Sequence, residues 1–231
     1  VTRTTFVLVP GAGGGTWFWH LLVPELRRRG HTAVAVDLPT GDDRAGLREY
    51  ADAVVAAAGD RAPLVLVAQS MAGFSAPLAC ERLGDRLVLL VLVNAMVPAP
   101  GETAGEWWAA TGQPEARRAL DLAEGRPVDG EFDPLVTFFH DLPGHVAEEA
   151  LAQGNAQSDT PFGQPFPLPA WPDVPTRVVV GRDDRLFPAA FQRRVARERL
   201  GVEADVLPGG HLVALADPDG LADLLVGYLP G

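Results

Sequence analysis

Six short, β-branched and almost wholly apolar runs are spaced along this chain: Thr5–Val9, Thr32–Asp37, Leu64–Gln69, Leu87–Asn94, Thr176–Gly181 and Ala204–Leu207. A strand apolar on both sides must be covered on both faces, as in a parallel sheet packed between helices. Helical patterns fill the gaps at Leu21–Arg29, Leu47–Ala58, Met71–Leu83, Ala189–Leu200 and Gly220–Leu229. This alternation predicts an α/β fold with a doubly wound, mainly parallel sheet of about six strands. The first strand is expected at its centre, flanked by the second and third. The length, 231 residues, suits a single domain over 1–231.

Composition narrows the chemistry. The formal net charge is −11, and all 19 cations are arginine. With no lysine, Schiff-base catalysis and a P-loop lysine are both excluded. The acidic balance argues against a nucleic-acid partner and against an anionic membrane surface. It fits a soluble enzyme acting on a neutral or weakly charged small molecule. The longest apolar runs, such as Leu87–Val93, are too short to span a bilayer. The N-terminal residues show no basic stretch followed by a long apolar one, so no signal peptide is read and a cytoplasmic location is expected. The single cysteine, Cys80, reads as a buried structural thiol. The sequence leaves a homodimer open.

One stretch breaks the alternation. From Val97 to Pro175 no convincing strand occurs, and helical pieces such as Glu115–Glu124 and His145–Gln153 alternate with Pro and Gly. It carries Trp107, Trp108, Phe138, Phe139, Phe162, Phe166 and Trp171. The expectation is a helical lid over 97–175, inserted after the fourth strand and covering a site at the carboxyl edge of the sheet.

Four features meet at that edge. The run Leu64-Val-Leu-Val-Ala-Gln-Ser-Met-Ala-Gly73 drives a buried strand into Ser70 and then into a helix. Such a junction holds a serine hydroxyl up at the sheet edge, and it requires small residues two before and two after, here Ala68 and Ala72. The loop Pro10-Gly-Ala-Gly-Gly-Gly15 can turn backbone N–H groups towards a developing oxyanion. As a dinucleotide loop it fails, because Thr16 stands where GxGxxG needs its last glycine. A third strand ends in Gly181-Arg-Asp-Asp184, so either Asp183 or Asp184 can reach the edge. The last strand ends in Pro208-Gly-Gly-His211. His20, His31, His140 and His145 fall at helix or loop positions, with His31 and His145 read as surface residues. The order serine, acid, histidine, each at a different strand end, is that of a nucleophile, a base and the carboxylate that orients it.

The chain resembles the α/β-hydrolase superfamily over nearly its whole length, and within it the branch of plant methylesterases and hydroxynitrile lyases. The similar segments are Phe6–Ala12 through Trp17-Phe-Trp19, Gly30-His-Thr, Asp37-Leu-Pro39, Gln69-Ser-Met-Ala-Gly73, Phe191-Gln-Arg193 and Gly209-Gly-His211. The resemblance implies Ser70 as nucleophile, His211 as base, Asp184 as acid, and the backbone N–H groups of Ala12 and Met71 as the oxyanion hole. Asn94 occupies a place where some relatives put the acid. Pro10 replaces a histidine that normally braces the oxyanion loop, Ala68 and Ala72 replace glycines, and Pro77 lies inside the helix after Ser70. Leu212 stands where hydroxynitrile lyases place a lysine, which disfavours that lyase chemistry.

The expected function is therefore a cofactor-free, metal-free serine carboxylesterase acting on a small apolar or aromatic ester. Substrate contacts are expected from Gly11 and Trp17, from Trp107, Trp108 and Phe138 of the insertion, and from Phe187 and Leu212. A lyase, cyclase or acyltransferase on the same scaffold is the main alternative, and a ligand-binding receptor retaining the triad the lesser one.

Overall fold

A computed structural model describes residues 3–128 and 131–230. The outer bounds of the expected domain, Val1 and Gly231, lie outside the described residues. The six strands are β1 (Thr5–Val9), β2 (Thr32–Ala35), β3 (Leu64–Gln69), β4 (Leu87–Val93), β5 (Thr176–Gly181) and β6 (Ala204–Leu207). All pair in parallel, in the order β2-β1-β3-β4-β5-β6.

β1 is flanked by β2 and β3 as expected, but it is not central. After β3 the chain adds β4, β5 and β6 all on the same side, which leaves β1 one place from the edge. The winding reverses between β1 and β3, so the loops leaving these two strands diverge and open a crevice at their carboxyl ends. β2 also stops two residues before Asp37, once Val36 has donated its N–H to the Leu8 carbonyl.

Side chains alternate across the sheet and build two cores. Val7 and Val9 of β1, Leu64, Leu66 and Ala68 of β3, and Leu90 and Leu92 of β4 pack against α2 (Leu47–Ala58), α3 (Ala72–Leu83) and α9 (Ala189–Leu200). Phe6, Leu8, Val65, Val67, Leu89, Val91 and Val93 face α1 (Leu22–Arg28), α10 (Val213–Ala216) and α11 (Pro218–Gly227). Both strand faces are thus buried, which explains their near-continuous apolar sequences.

Between β4 and β5 lie α4 (Ala104–Thr111), α5 (Gln113–Ala123), α6 (Pro134–Thr137), α7 (Gly144–Ala152) and α8 (Thr160–Gly163). An Arg199–Glu102 ion pair ties the start of this segment to α9, and Arg199 also donates to the Val97 carbonyl at 2.6 Å. α3 runs through Pro77 without a break, although proline cannot donate to the Gly73 carbonyl one turn earlier.

One of the expected bystanders sits differently. His31 is buried rather than at the surface, edge-on to Phe6, and burial pushes its pKa down, so it is held as neutral imidazole. His145 is exposed. Cys80 is buried, and burial pushes its thiol up to about 12, the environment of an inert thiol. Among the described residues no helix is long and apolar enough to cross a membrane.

Candidate active site

β3 ends at Gln69, and the next residue, Ser70, turns the chain into α3 with φ at +52°. A non-glycine residue in this left-handed region is strained. The strain is held by hydrogen bonds: Ser70 N–H to the Val93 carbonyl, and Met96 N–H and Gly73 N–H to the Ser70 carbonyl. Ala68 and Ala72, which replace the glycines usual at this junction, are both buried. The steric demand falls instead on Gly73, where a Cβ would lie 1.8 Å from the Met96 carbonyl oxygen. Gly11 is constrained in the same way, since its Cβ would approach Ser70 Cβ to 2.7 Å. The loop after β1 therefore passes directly over the serine.

His211 follows β6 and is 3% exposed, with Nε2 3.0 Å from Ser70 Oγ. Its Nδ1 lies 2.8 Å from Asp184 Oδ2. Asp184 is fully buried, and its Oδ1 accepts the N–H groups of Leu186 and Phe187 at 2.8 and 2.9 Å. It is Asp184, then, and not Asp183, that meets the histidine. Asp183 is largely exposed, pairs with Arg182, and accepts the Gly209 N–H; the arginine holds its carboxyl below the usual range. The rings of Phe138 and Phe187 pack on the imidazole, with centroids 5.3 and 5.2 Å away.

The Gly-rich loop is braced without the histidine that Pro10 replaces. Gly11 N–H donates to Gln69 Oε1 at 3.0 Å, Gly13 N–H to Gln157 Oε1 at 2.9 Å, and Gly14 N–H to the Gly11 carbonyl. Among the described residues no protein acceptor takes the N–H of Ala12 or of Met71. Both residues line the cavity beside Ser70.

That cavity has a volume of about 430 Å³. Of the residues expected to contact substrate, Gly11, Trp17, Trp108, Phe138, Phe187 and Leu212 line it. Trp107 does not. It is 1% exposed, its indole N–H donates to the Val97 carbonyl, and it packs on Phe187, Phe191 and Trp108. On a short helix two consecutive residues point to different sides, so one tryptophan of the pair faces the cavity and its neighbour the core. Phe166 likewise belongs to the core, against Phe74 and Trp171. Phe139 and Phe162 reach the cavity, joined by Met96, Phe132 and Leu186, which sequence reasoning did not select. Among the described residues no arginine, aspartate or glutamate lines it.

The chain matches the alpha/beta hydrolase family over residues 6–224. It belongs to that family. It is similar to a pyrethroid hydrolase of Sphingobium wenxiniae, 29% identical over 99% of this chain and 88% of that protein. It is also similar to the esterase PIR7B of Oryza sativa subsp. japonica, 28% identical over 97% of this chain and 95% of that protein. The crystal structure of polyneuridine aldehyde esterase superposes with a TM-score of 0.78, at 21% identity, over 98% of this chain and 99% of that one.

Proposed function

We propose that this ester-bond hydrolase is a cofactor-free serine carboxylesterase whose substrate is a neutral ester with an apolar or aromatic acyl or alcohol part. One observation carries the reading. A serine, an imidazole and a buried carboxylate, linked at 3.0 and 2.8 Å, stand at the wall of an apolar cavity of about 430 Å³. The names of the two full-length relatives, a pyrethroid hydrolase and an esterase, support ester hydrolysis.

In this reading Ser70 Oγ attacks the ester carbonyl while His211 Nε2 takes its proton. Asp184 accepts the Nδ1–H, which selects the tautomer with a free Nε2 lone pair, and it stabilises the imidazolium that forms. The tetrahedral oxyanion is met by the unengaged N–H groups of Ala12 and Met71. Collapse expels the alkoxide, protonated by His211. Water, deprotonated by His211, then releases the acid from the acyl-serine. Leu212 faces the cavity where a hydroxynitrile lyase would present a cation, and this supports hydrolysis over that chemistry.

The segment over 97–175 serves as a cap in this reading. It brings Trp108, Phe132, Phe138, Phe139 and Phe162 onto the cavity. Trp108→Ala is expected to raise KM for a bulky aryl ester about tenfold while leaving an acetyl ester nearly unchanged, the loss of one apolar contact. Trp107→Ala is expected to cost about 3–5 kcal/mol of stability instead, with no change in ester preference. Michaelis curves on both esters, with thermal melts, check the pair.

The test of the function is turnover of an aryl ester from about pH 5 to 9. kcat/KM should fall in acid, because an imidazolium cannot accept the serine proton, and should level off towards alkaline pH. No lysine is present to act as base at higher pH. Circular dichroism at each point separates this from unfolding. His31, buried and neutral with its pKa pushed down, withdraws stability as pH falls below the ordinary imidazole range. A flat profile with an intact fold, or no turnover of any aryl ester, counts against the esterase.

A further inference from the structure

The hydrogen bonds of the buried acid do not end at the histidine. Gln192, in the first turn of α9, is 5% exposed, and its Nε2 lies 3.2 Å from Asp184 Oδ2. The same nitrogen is 2.6 Å from the Phe187 carbonyl oxygen and 3.3 Å from Asn94 Oδ1. Three acceptors around one atom fix the orientation of the amide, because the reverse would aim an oxygen at three oxygens. One N–H serves Phe187. The other points between the oxygens of Asp184 and Asn94.

Asn94, at the end of β4, is fully buried and sits at φ +46°. Its Nδ2 donates to the carbonyls of Gly210 and His211, both at 3.0 Å, and its Oδ1 accepts the Gly181 N–H at 2.6 Å. The two amides thus hold both ends of the His211–Asp184 bond. Asn94 grips the backbone of the turn that carries the histidine and of the turn that carries the acid. Gln192 meets the carboxylate itself.

We propose that Gln192 is a positioning residue for the serine hydrolase reading above, on which this inference rests. It locks Asp184 Oδ2 in line with His211 Nδ1 and moderates the carboxylate's hold on the imidazolium. Asp184 Oδ1 is anchored by two backbone N–H groups, but the only donors on Oδ2 among the described residues are His211 and Gln192. Without the amide, Oδ2 keeps a single partner and the carboxylate can turn about its anchored oxygen. One feature argues that the amide is present for its donor side and not for packing. Gln192 Oε1 is buried with no hydrogen-bond partner among the described residues, a cost that an apolar side chain of the same size would not carry.

The surrounding ionisable groups approach from elsewhere. Asp183 accepts the Gly209 N–H and Asp141 the Gly210 N–H, with His140 beside Asp141 and Arg185 donating to the Val136 carbonyl. Among the described residues none of these hydrogen-bonds to the His211 ring or to the Asp184 carboxylate.

The experiment measures kcat, KM and the pH profile of aryl ester hydrolysis for Gln192→Met beside the wild type, with thermal melts. kcat is expected to fall ten- to hundredfold, the worth of one hydrogen bond to a charged group, with KM within about twofold. The acid limb of kcat/KM is expected to move to higher pH, since a carboxylate that has lost a donor favours the imidazolium more strongly. The melting temperature is expected to fall by no more than a few degrees, since the buried Phe187 carbonyl loses its donor while the unpartnered Oε1 is removed. Wild-type kcat and an unmoved acid limb, or a kcat loss matched by a loss of folded protein, overturns the proposal. If the methionine variant does not fold, Gln192→Leu removes the same donor with a different apolar side chain, and an unmoved acid limb with wild-type kcat again overturns the role. Ser70→Ala runs in parallel. If it retains turnover, the triad reading itself fails; if it is inactive while Gln192→Met behaves as wild type, only this inference fails.

Discussion

Ser70→Ala is expected to lower kcat for ester hydrolysis by about 10⁴–10⁶, the usual cost of removing a triad nucleophile. The fold should survive. Ser70 is partly exposed, and the hydrogen bonds that hold its φ of +52° all involve backbone atoms that alanine retains. The strain of a left-handed residue is similar for serine and alanine, so the melting temperature should change little. Only the hydroxyl 3.0 Å from His211 Nε2 is removed. Purified variant and wild type are compared by turnover of an aryl ester and by circular dichroism. A folded variant with near-normal turnover would take Ser70 out of the chemistry.

The second large effect distinguishes two adjacent carboxylates. Asp184→Asn is expected to cost roughly 10⁴ in kcat, the size of the loss when this position loses its charge in the template enzyme. The geometry supplies the reason. The N–H groups of Leu186 and Phe187 keep an acceptor oxygen at one position of the side chain, so the new NH₂ must face His211 Nδ1. An imidazole that accepts at Nδ1 carries its proton on Nε2 and cannot take one from serine. Asp183→Asn removes only a surface pairing with Arg182 and one contact to Gly209, so activity is expected to stay within a few-fold of wild type. Steady-state kinetics on the two variants decides the point. A crippled Asp183→Asn beside a near-normal Asp184→Asn would reverse the assignment.

What the chain reveals of itself before folding follows from how local each signal is. β1, β3, β5 and β6, with α2 and α9, stand at the bounds their apolar runs and helical periods predicted, because burial on both faces leaves an unbroken pattern in the sequence. Ser70 and His211, which meet at 3.0 Å, each mark a strand end in a fixed chain order, whereas that order left Asp183 and Asp184 open and only the resemblance chose between them. The place of β1 in the sheet was not legible, since strand order depends on where later strands add. Trp107 and Trp108 look alike in sequence, and only packing against Phe187 and Phe191 separates core from cavity. His31 read as a surface residue, yet the turn after α1 folds it onto Phe6. The brace from Gln157 to Gly13 spans 144 residues and that from Asn94 to His211 spans 117, so no local pattern announces either.

The most direct test of the account is covalent labelling with a fluorophosphonate probe, followed by intact mass and peptide mapping. The probe reports an activated serine whatever the natural ester is. The account predicts one adduct per chain, located on the peptide carrying Ser70. It should be absent in Ser70→Ala and formed far more slowly in His211→Ala and Asp184→Asn. No adduct on the folded wild type, an adduct on another residue, or equal labelling of Ser70→Ala would contradict it.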